Sequence, residues 1–437
     1  MLQIALLLLG SDFVKKYSLH LWFFGILWVA TGVFIFFDGL NQQLLFPKNT
    51  FGIILLFESL MTLSIALCSI KNKNHLLLCK GILFLFFSYI FLMNNGYSNE
   101  IISAIFVFAY FITGSFAMAS AWIVRFYRWK ITLVWGVFQM LFSFFILTHH
   151  QSTLSFFIGL IMIGTGVSSL SIAIRSRYIK QGSTIFQIIN PKLSLDPIQT
   201  KSVSNVTYQP TQPIQQPLTI HIWTPVGSAS APTLPRPIIN RYIAAVDKDG
   251  TISTGHASLE LPSELYISLY PEEDIDRQAE DFFRLLRATP DNNVPGRFLS
   301  DYQTEAADWC ESDQKIIFEH YNRDALLHFW QSYRQYPIYN ITHQNCSSTV
   351  AYALEAALEG ILSRPNNNFL SLLKIMCTPE LWIAAQIRRR ALMMAWTPGL
   401  VMDYSRVLHR MVHVTAFPWY KRILWKMRKP NLNLSTK

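Results

Sequence analysis

Cys346 stands where a polar, irregular run, Tyr339-Asn-Ile-Thr-His-Gln-Asn345, gives way to the apolar-periodic stretch Cys346-Ser347-Ser348-Thr349-Val350-Ala351-Tyr352-Ala353-Leu354. A helix beginning at that junction holds the sulfur at its N-terminus, where the dipole and the unpaired amide N–H groups favour a thiolate. The same amides would supply half of an oxyanion hole, with Asn345 and Ser347 as the neighbouring orienting groups. A cysteine nucleophile also needs a base. His256 is the best-placed histidine: it enters a strand pattern directly after Gly255, a residue that permits close backbone approach. His343 is only three residues from Cys346, a poor geometry for a base. Cys310 and Cys377 read as structural or incidental. The chemistry that fits Cys346 and His256 is acyl transfer through a thioester.

Strands and helices must bring these two residues together. His256-Ala-Ser-Leu-Glu-Leu261 and Tyr266-Ile-Ser-Leu-Tyr270 alternate with period two and are joined by Pro262-Ser263-Glu264, which predicts a hairpin. Period two sets His256, Ser258 and Glu260 on one face, with Ser268 on the partner strand. Glu260 and Ser268 are therefore the candidates for a third group that orients the imidazole. Arg241–Val246 reads as a further strand before the turn signal Asp249-Gly250, and helical patterns cover about 272–288, 313–334 and 346–358. The class is α+β with a small antiparallel sheet.

Gly255-His256-Ala257-Ser258-Leu259-Glu260, followed by Asn345-Cys346-Ser347-Ser348, resembles the circularly permuted papain-like (NlpC-like) superfamily over roughly 237–360. The histidine precedes the cysteine, the reverse of the usual papain order. A dyad or triad is defined by geometry rather than by chain order. The resemblance implies Cys346 as nucleophile and His256 as general base. It also implies a reaction on a peptide, an amide or a lipid acyl group, since members act as peptidases, amidases or acyltransferases.

The first 175 residues are of another kind. Six apolar segments, at about 19–38, 50–69, 76–94, 101–123, 131–149 and 153–174, each approach the ~20 residues needed to cross a bilayer. Met1–Gly10 is too short to span and reads as an interfacial lead-in. Eleven loop Lys/Arg fall on one side of a six-helix arrangement and only Lys48 on the other, which places both termini in the cytoplasm. Gly25-ILWVA-Thr31-Gly32 echoes Gly159-LIMIG-Thr165-Gly166, and Thr113-Gly114 recurs between them; small residues at such spacing suit close helix packing. This layout resembles the HdeD-like six-helix membrane proteins over residues 1–180. Glu58 is the one acid well inside a segment, a functional candidate by position. His149 and His150 read as a polar cap at the opposite end.

Composition agrees with a membrane component and excludes an ordinary soluble enzyme: of 437 residues, 51% are hydrophobic and 15% charged, with mean hydropathy +0.26. The net +10 divides into +8 for residues 1–183, −7 for 184–379 and +9 for 380–437. Residues 1–182 are therefore read as an all-α transmembrane domain, 183–236 as a Pro/Ser/Thr/Gln-rich linker, 237–378 as the α+β hydrolase domain and 379–437 as a basic tail. Trp, Tyr and Leu interleaved with Lys and Arg over 388–429 suit an anionic lipid surface rather than nucleic acid. Five cysteines without CxxC spacing suggest neither a disulfide framework nor a zinc site, and no metal or cofactor is expected. The sequence expectation is a multi-pass membrane protein carrying a cytoplasmic thiol hydrolase, with a non-catalytic membrane sensor or scaffold as the rival reading.

Overall fold

The computed structural model describes residues 1–41, 48–67, 75–93, 96–149, 152–177, 184–190, 216–229, 231–248, 252–273, 275, 282–363 and 367–414. The N-terminal half is helical: α1 Leu2–Leu9, α2 Ser11–Asn41, α3 Lys48–Leu67, α4 His75–Leu92, α5 Gly96–Val124, α6 Trp129–Thr148, α7 Thr153–Arg177 and α8 Ile185–Ile189. Strands and helices then alternate: β1 Leu218–Trp223, α9 Pro237–Tyr242, β2 Ala245–Val246, β3 Ile252–Ser253, β4 His256–Leu261, β5 Leu265–Ile267, β6 Leu269–Pro271, α10 Phe282–Leu285, β7 Val294–Phe298, α11 Tyr302–Asp308, β8 Gln314–Phe318, α12 Arg323–Tyr333 and β9 Ile338–Tyr339. Four helices close the described chain: α13 Cys346–Ala357, α14 Phe369–Met376, α15 Pro379–Met393 and α16 Pro398–Val414.

Six helices occupy the six apolar segments. Five of them, α2, α4, α5, α6 and α7, are long and apolar enough to cross a membrane; α3 carries a shorter apolar stretch, Asn49–Ser64. The chain divides into two compact units. One comprises Ile26–Phe111, Leu141–Val167 and the chain from Arg410. Within it α2 crosses α7 at Gly32 and Gly159, where a Cβ on either glycine would come within 2.8 Å of the other's carbonyl oxygen. The repeated small residues thus serve helix packing. Glu58 of α3 is paired with Lys80 of α4 (Oε1–Nζ 2.6 Å), so the lone acid of the sequence reading has a cation facing it.

The other unit comprises Met1–Gly25, Ile112–Met140 and Ser168–His409. Its main sheet has the order β5-β4-β1-β8 and is antiparallel throughout. The register pairs Ile220 with Leu259 and Ile316, and Ile222 with Ala257, which makes one face apolar. The opposite face carries His221, Trp223, His256, Ser258 and Glu260. Smaller antiparallel sheets are β6-β7-β9 and β2-β3.

Several sequence expectations change here. Met1–Gly10 is no interfacial lead-in: Ile4–Leu9 are buried, and the Leu7 and Leu8 carbonyls accept from the Gly360 and Leu362 amides. The 183–236 stretch supplies α8 and the inner strand β1, while 191–215 lie outside the described residues. Arg241–Val246 begins as helix α9, because Pro237 suits a first helical turn, and only Ala245–Val246 is strand. The 313–334 pattern splits into β8 and α12 at Asn322, whose side chain caps α12. Of the 272–288 pattern, the described helix is Phe282–Leu285.

The basic C-terminal region contributes packed helices up to residue 414. Arg388 is buried and paired with Glu355 of α13 (Nε–Oε1 2.7 Å), and Tyr404 and Asn190 donate to the same carboxylate. A cation so used does not meet lipid. The interleaved stretch Trp419–Lys429 lies outside the described residues.

Candidate functional site

Cys346 opens α13. Asn345 is its N-cap, with Oδ1 accepting from the Ser348 amide and the Ser348 hydroxyl accepting from the Asn345 amide, a reciprocal capping box. Both protons of the Asn345 side-chain amide are used, donated to the Ile341 and Trp396 carbonyls. Asn345 therefore anchors the helix start and has no side-chain donor left for an oxyanion. The Cys346 amide is the first of those a helix leaves without an intrahelical acceptor, so the oxyanion-binding role falls to backbone N–H groups.

The sulfur lies against the backbone of the histidine strand. The Ser347 hydroxyl oxygen is 3.7 Å from the Cys346 sulfur, and the backbones of Ser347 and of Ala257, the residue directly after His256, act to stabilise the thiolate. Gly255 lets the start of β4 pass close to the end of β1: its φ is +70°, and a Cβ there would collide with the Trp223 carbonyl.

The imidazole of His256 is fixed on its other side. Its Nε2 is 2.8 Å from Ser268 Oγ and 3.2 Å from Glu305 Oε1, and its ring stacks on Tyr270 with centroids 4.3 Å apart. The Ser268 hydroxyl donates to Glu305 Oε1 (3.2 Å), so Ser268 accepts from Nε2–H. That assignment leaves the lone pair on Nδ1, and the hydrogen bonds of the described residues include none between His256 and the Cys346 sulfur. Glu305, only 2% exposed, also receives the hydroxyls of Tyr270 (2.7 Å) and Tyr266.

Burial governs the protonation of both groups. Cys346 is 9% exposed and His256 4%. Desolvation pushes the thiol above its ordinary value despite the stabilising hydrogen bonds, so the helix N-terminus does not produce a resting thiolate. Desolvation likewise lowers His256 to about 3, which makes the imidazole neutral. At rest the thiol and the imidazole are both neutral, and the buried Glu305 carboxyl stands at the imidazole Nε2.

The two proposed third members have different places. Ser268 lies against His256 Nε2. Glu260 pairs instead with a second histidine, His221 (Oε2–Nε2 2.8 Å), whose Nδ1 is 3.1 Å from Ser312 Oγ. The acid that does reach His256 is Glu305, which the sequence reading missed. Its signal was present: Tyr302, Glu305 and Trp309 fall at helical spacing on one stripe, so an acid shares the aromatic face of α11. In the structure that face lies over the polar side of the sheet, with Tyr302 stacked on His221 at 3.9 Å and Trp309 on Trp223 at 5.7 Å. His343 sits in the turn ahead of α13.

Comparison with known protein families, with characterised proteins and with solved structures finds no match to this chain.

Proposed function

We propose that this chain is a membrane-anchored cysteine hydrolase of the peptidase or amidase type, with Cys346 as nucleophile, His256 as general base and Glu305 as the group that positions the base. The observation that carries the reading is the two-sided hold on His256. The Cys346 sulfur meets the peptide just after it, while Ser268 and Glu305 hold its Nε2. The resemblance to permuted papain-like enzymes supports the same pair, and the positive-inside bias supports a cytoplasmic site.

In the proposed reaction His256 Nδ1 takes the Cys346 proton as the sulfur attacks the substrate carbonyl carbon. The oxyanion meets backbone amides at the start of α13. The imidazolium, stabilised by Glu305 through Nε2, returns its proton to the leaving amine as the C–N bond breaks, and a thioester remains. Water then attacks that thioester while His256 takes its proton, the acid is released, and the thiol is restored. A neutral starting pair means that charge develops only as the bond forms, and Glu305 serves that moment.

Trapping with an electrophilic acyl probe in detergent or nanodiscs tests the assignment. Wild type should be labelled at Cys346, with labelling lost in Cys346→Ala and strongly slowed in His256→Ala. Equal labelling of wild type and Cys346→Ala would reject it.

A further inference from the structure

The helices that follow the candidate site form a second surface with its own chemistry. α14 and α15 are together apolar enough to make one membrane span, yet they meet at a bend of 73°. One side of the pair is committed to the protein: Leu372, Ile375, Leu381, Ala384, Arg388 and Ala391 are buried. The other side presents Leu370 (58% exposed), Leu373 (40%) and Trp382 (44%). The Trp382 indole donates to the Met376 carbonyl (2.6 Å), which closes the end of α14 at the bend.

This face adjoins a helix long and apolar enough to cross a bilayer. Phe369, the first residue of α14, packs against Tyr17, His20 and Phe24 of α2, with ring centroids 6.1–6.3 Å apart. The Tyr17 hydroxyl donates to the Asn367 carbonyl (3.3 Å). At about 1.5 Å per residue, the contacts on α2 begin about 3 Å past Lys15 and reach about 14 Å past it. Lys15 and Lys16 are exposed, and the apolar residues Leu19 and Phe23 beyond them are exposed as well, as on a lipid-facing helix. With Lys15 and Lys16 at the headgroup boundary of α2, the start of α14 would stand level with the adjoining acyl chains. Lys374, Arg389 and Arg390 are exposed on the same pair and supply cations for headgroup phosphates.

We infer that α14 and the first turn of α15 form a re-entrant wedge whose exposed face is seated in the lipid leaflet beside α2, with Leu370, Leu373 and Trp382 among the acyl chains. The occupant is lipid, because the face continues the lipid-facing surface of a candidate span and is bordered by cations. The inference stands independently of the chemistry at Cys346.

Nitroxide accessibility in the full-length protein tests it. Cys68, Cys79, Cys310, Cys346 and Cys377 are replaced by alanine or serine, and a spin label is placed at Leu370→Cys or Leu373→Cys. An exposed strand position, Lys315→Cys, serves as reference. In nanodiscs of phosphatidylcholine and phosphatidylglycerol, both wedge labels should collide faster with oxygen than with a water-soluble nickel complex, and the reference should show the reverse. Nickel access equal to the reference would overturn the proposal in favour of a solvated face. Poor access to both reagents would overturn it in favour of a protein partner or a second copy. Brominated-lipid quenching provides a check that avoids the cysteine substitutions: the fluorescence lost in Trp382→Phe should be the bromine-sensitive part, and an unquenched difference signal counts against the wedge.

Discussion

A thiol on the first turn of a helix feels two opposed influences: the amides favour the thiolate, and a dry surrounding favours the neutral form. At Cys346 the second prevails. Iodoacetamide alkylation of Cys346 should therefore be slow at pH 7 and rise only above pH 9, and a rate already maximal at neutral pH would contradict the burial argument. His256, held neutral down to about pH 3, should contribute no inflection near pH 6.5 to kcat/KM. Glu305 should matter more to rate than to binding. Glu305→Gln keeps the size and removes the charge that stabilises the imidazolium, so kcat should fall about 10²- to 10⁴-fold with KM little changed. Cys346 at a helix start and His256 at a strand start were legible in the sequence because each kind of start leaves a local pattern. Glu305 was not, because the sequence stripe of α11 does not say which strand lies under it, and Glu260 had the better strand register but faces His221.

Among the elements, the strands that matter most were readable where alternation is unbroken, as in β4. β1 lies in a stretch read as a proline-rich linker, yet it pairs on both sides as an inner strand of the sheet. Its place rests on partners, β4 and β8, about 40 and 100 residues away in sequence, which no local window includes. The same limit hid α1, whose apolar run resembles a membrane lead-in but packs beside Gly360. Two measurements address how these elements are held. Arg388→Met leaves the fully buried Glu355 carboxylate without its cation and should cost about 3–5 kcal/mol in unfolding free energy, with Arg388→Met/Glu355→Leu recovering much of it. Glu359 accepts from the Ile185 and Phe186 amides at the start of α8, and burial raises its carboxyl from 4.5 to about 7. A carboxyl with a raised folded-state value contributes stability that is present below pH 4.5 and lost as pH rises toward 7. The thermal midpoint should fall over that window in wild type and lose this component in Glu359→Gln.

At the scale of the whole molecule, the net charge described no single surface. The basic loops among the apolar helices predict which side of the membrane holds the site, and part of the basic C-terminal region turned inward, with Arg388 at the buried pair. Labelling of an introduced Lys315→Cys by an impermeant maleimide should occur in inverted vesicles and not in intact cells. The proposed function depends on the candidate site forming a thioester. The most direct measurement is intact mass during turnover of an activated acyl ester by the full-length protein in nanodiscs. The account predicts one acyl adduct per chain, located on Cys346, formed slowly by Glu305→Gln and not at all by Cys346→Ala. An adduct of the same mass and rate in Cys346→Ala, or none in wild type while ester is consumed above background, would contradict it.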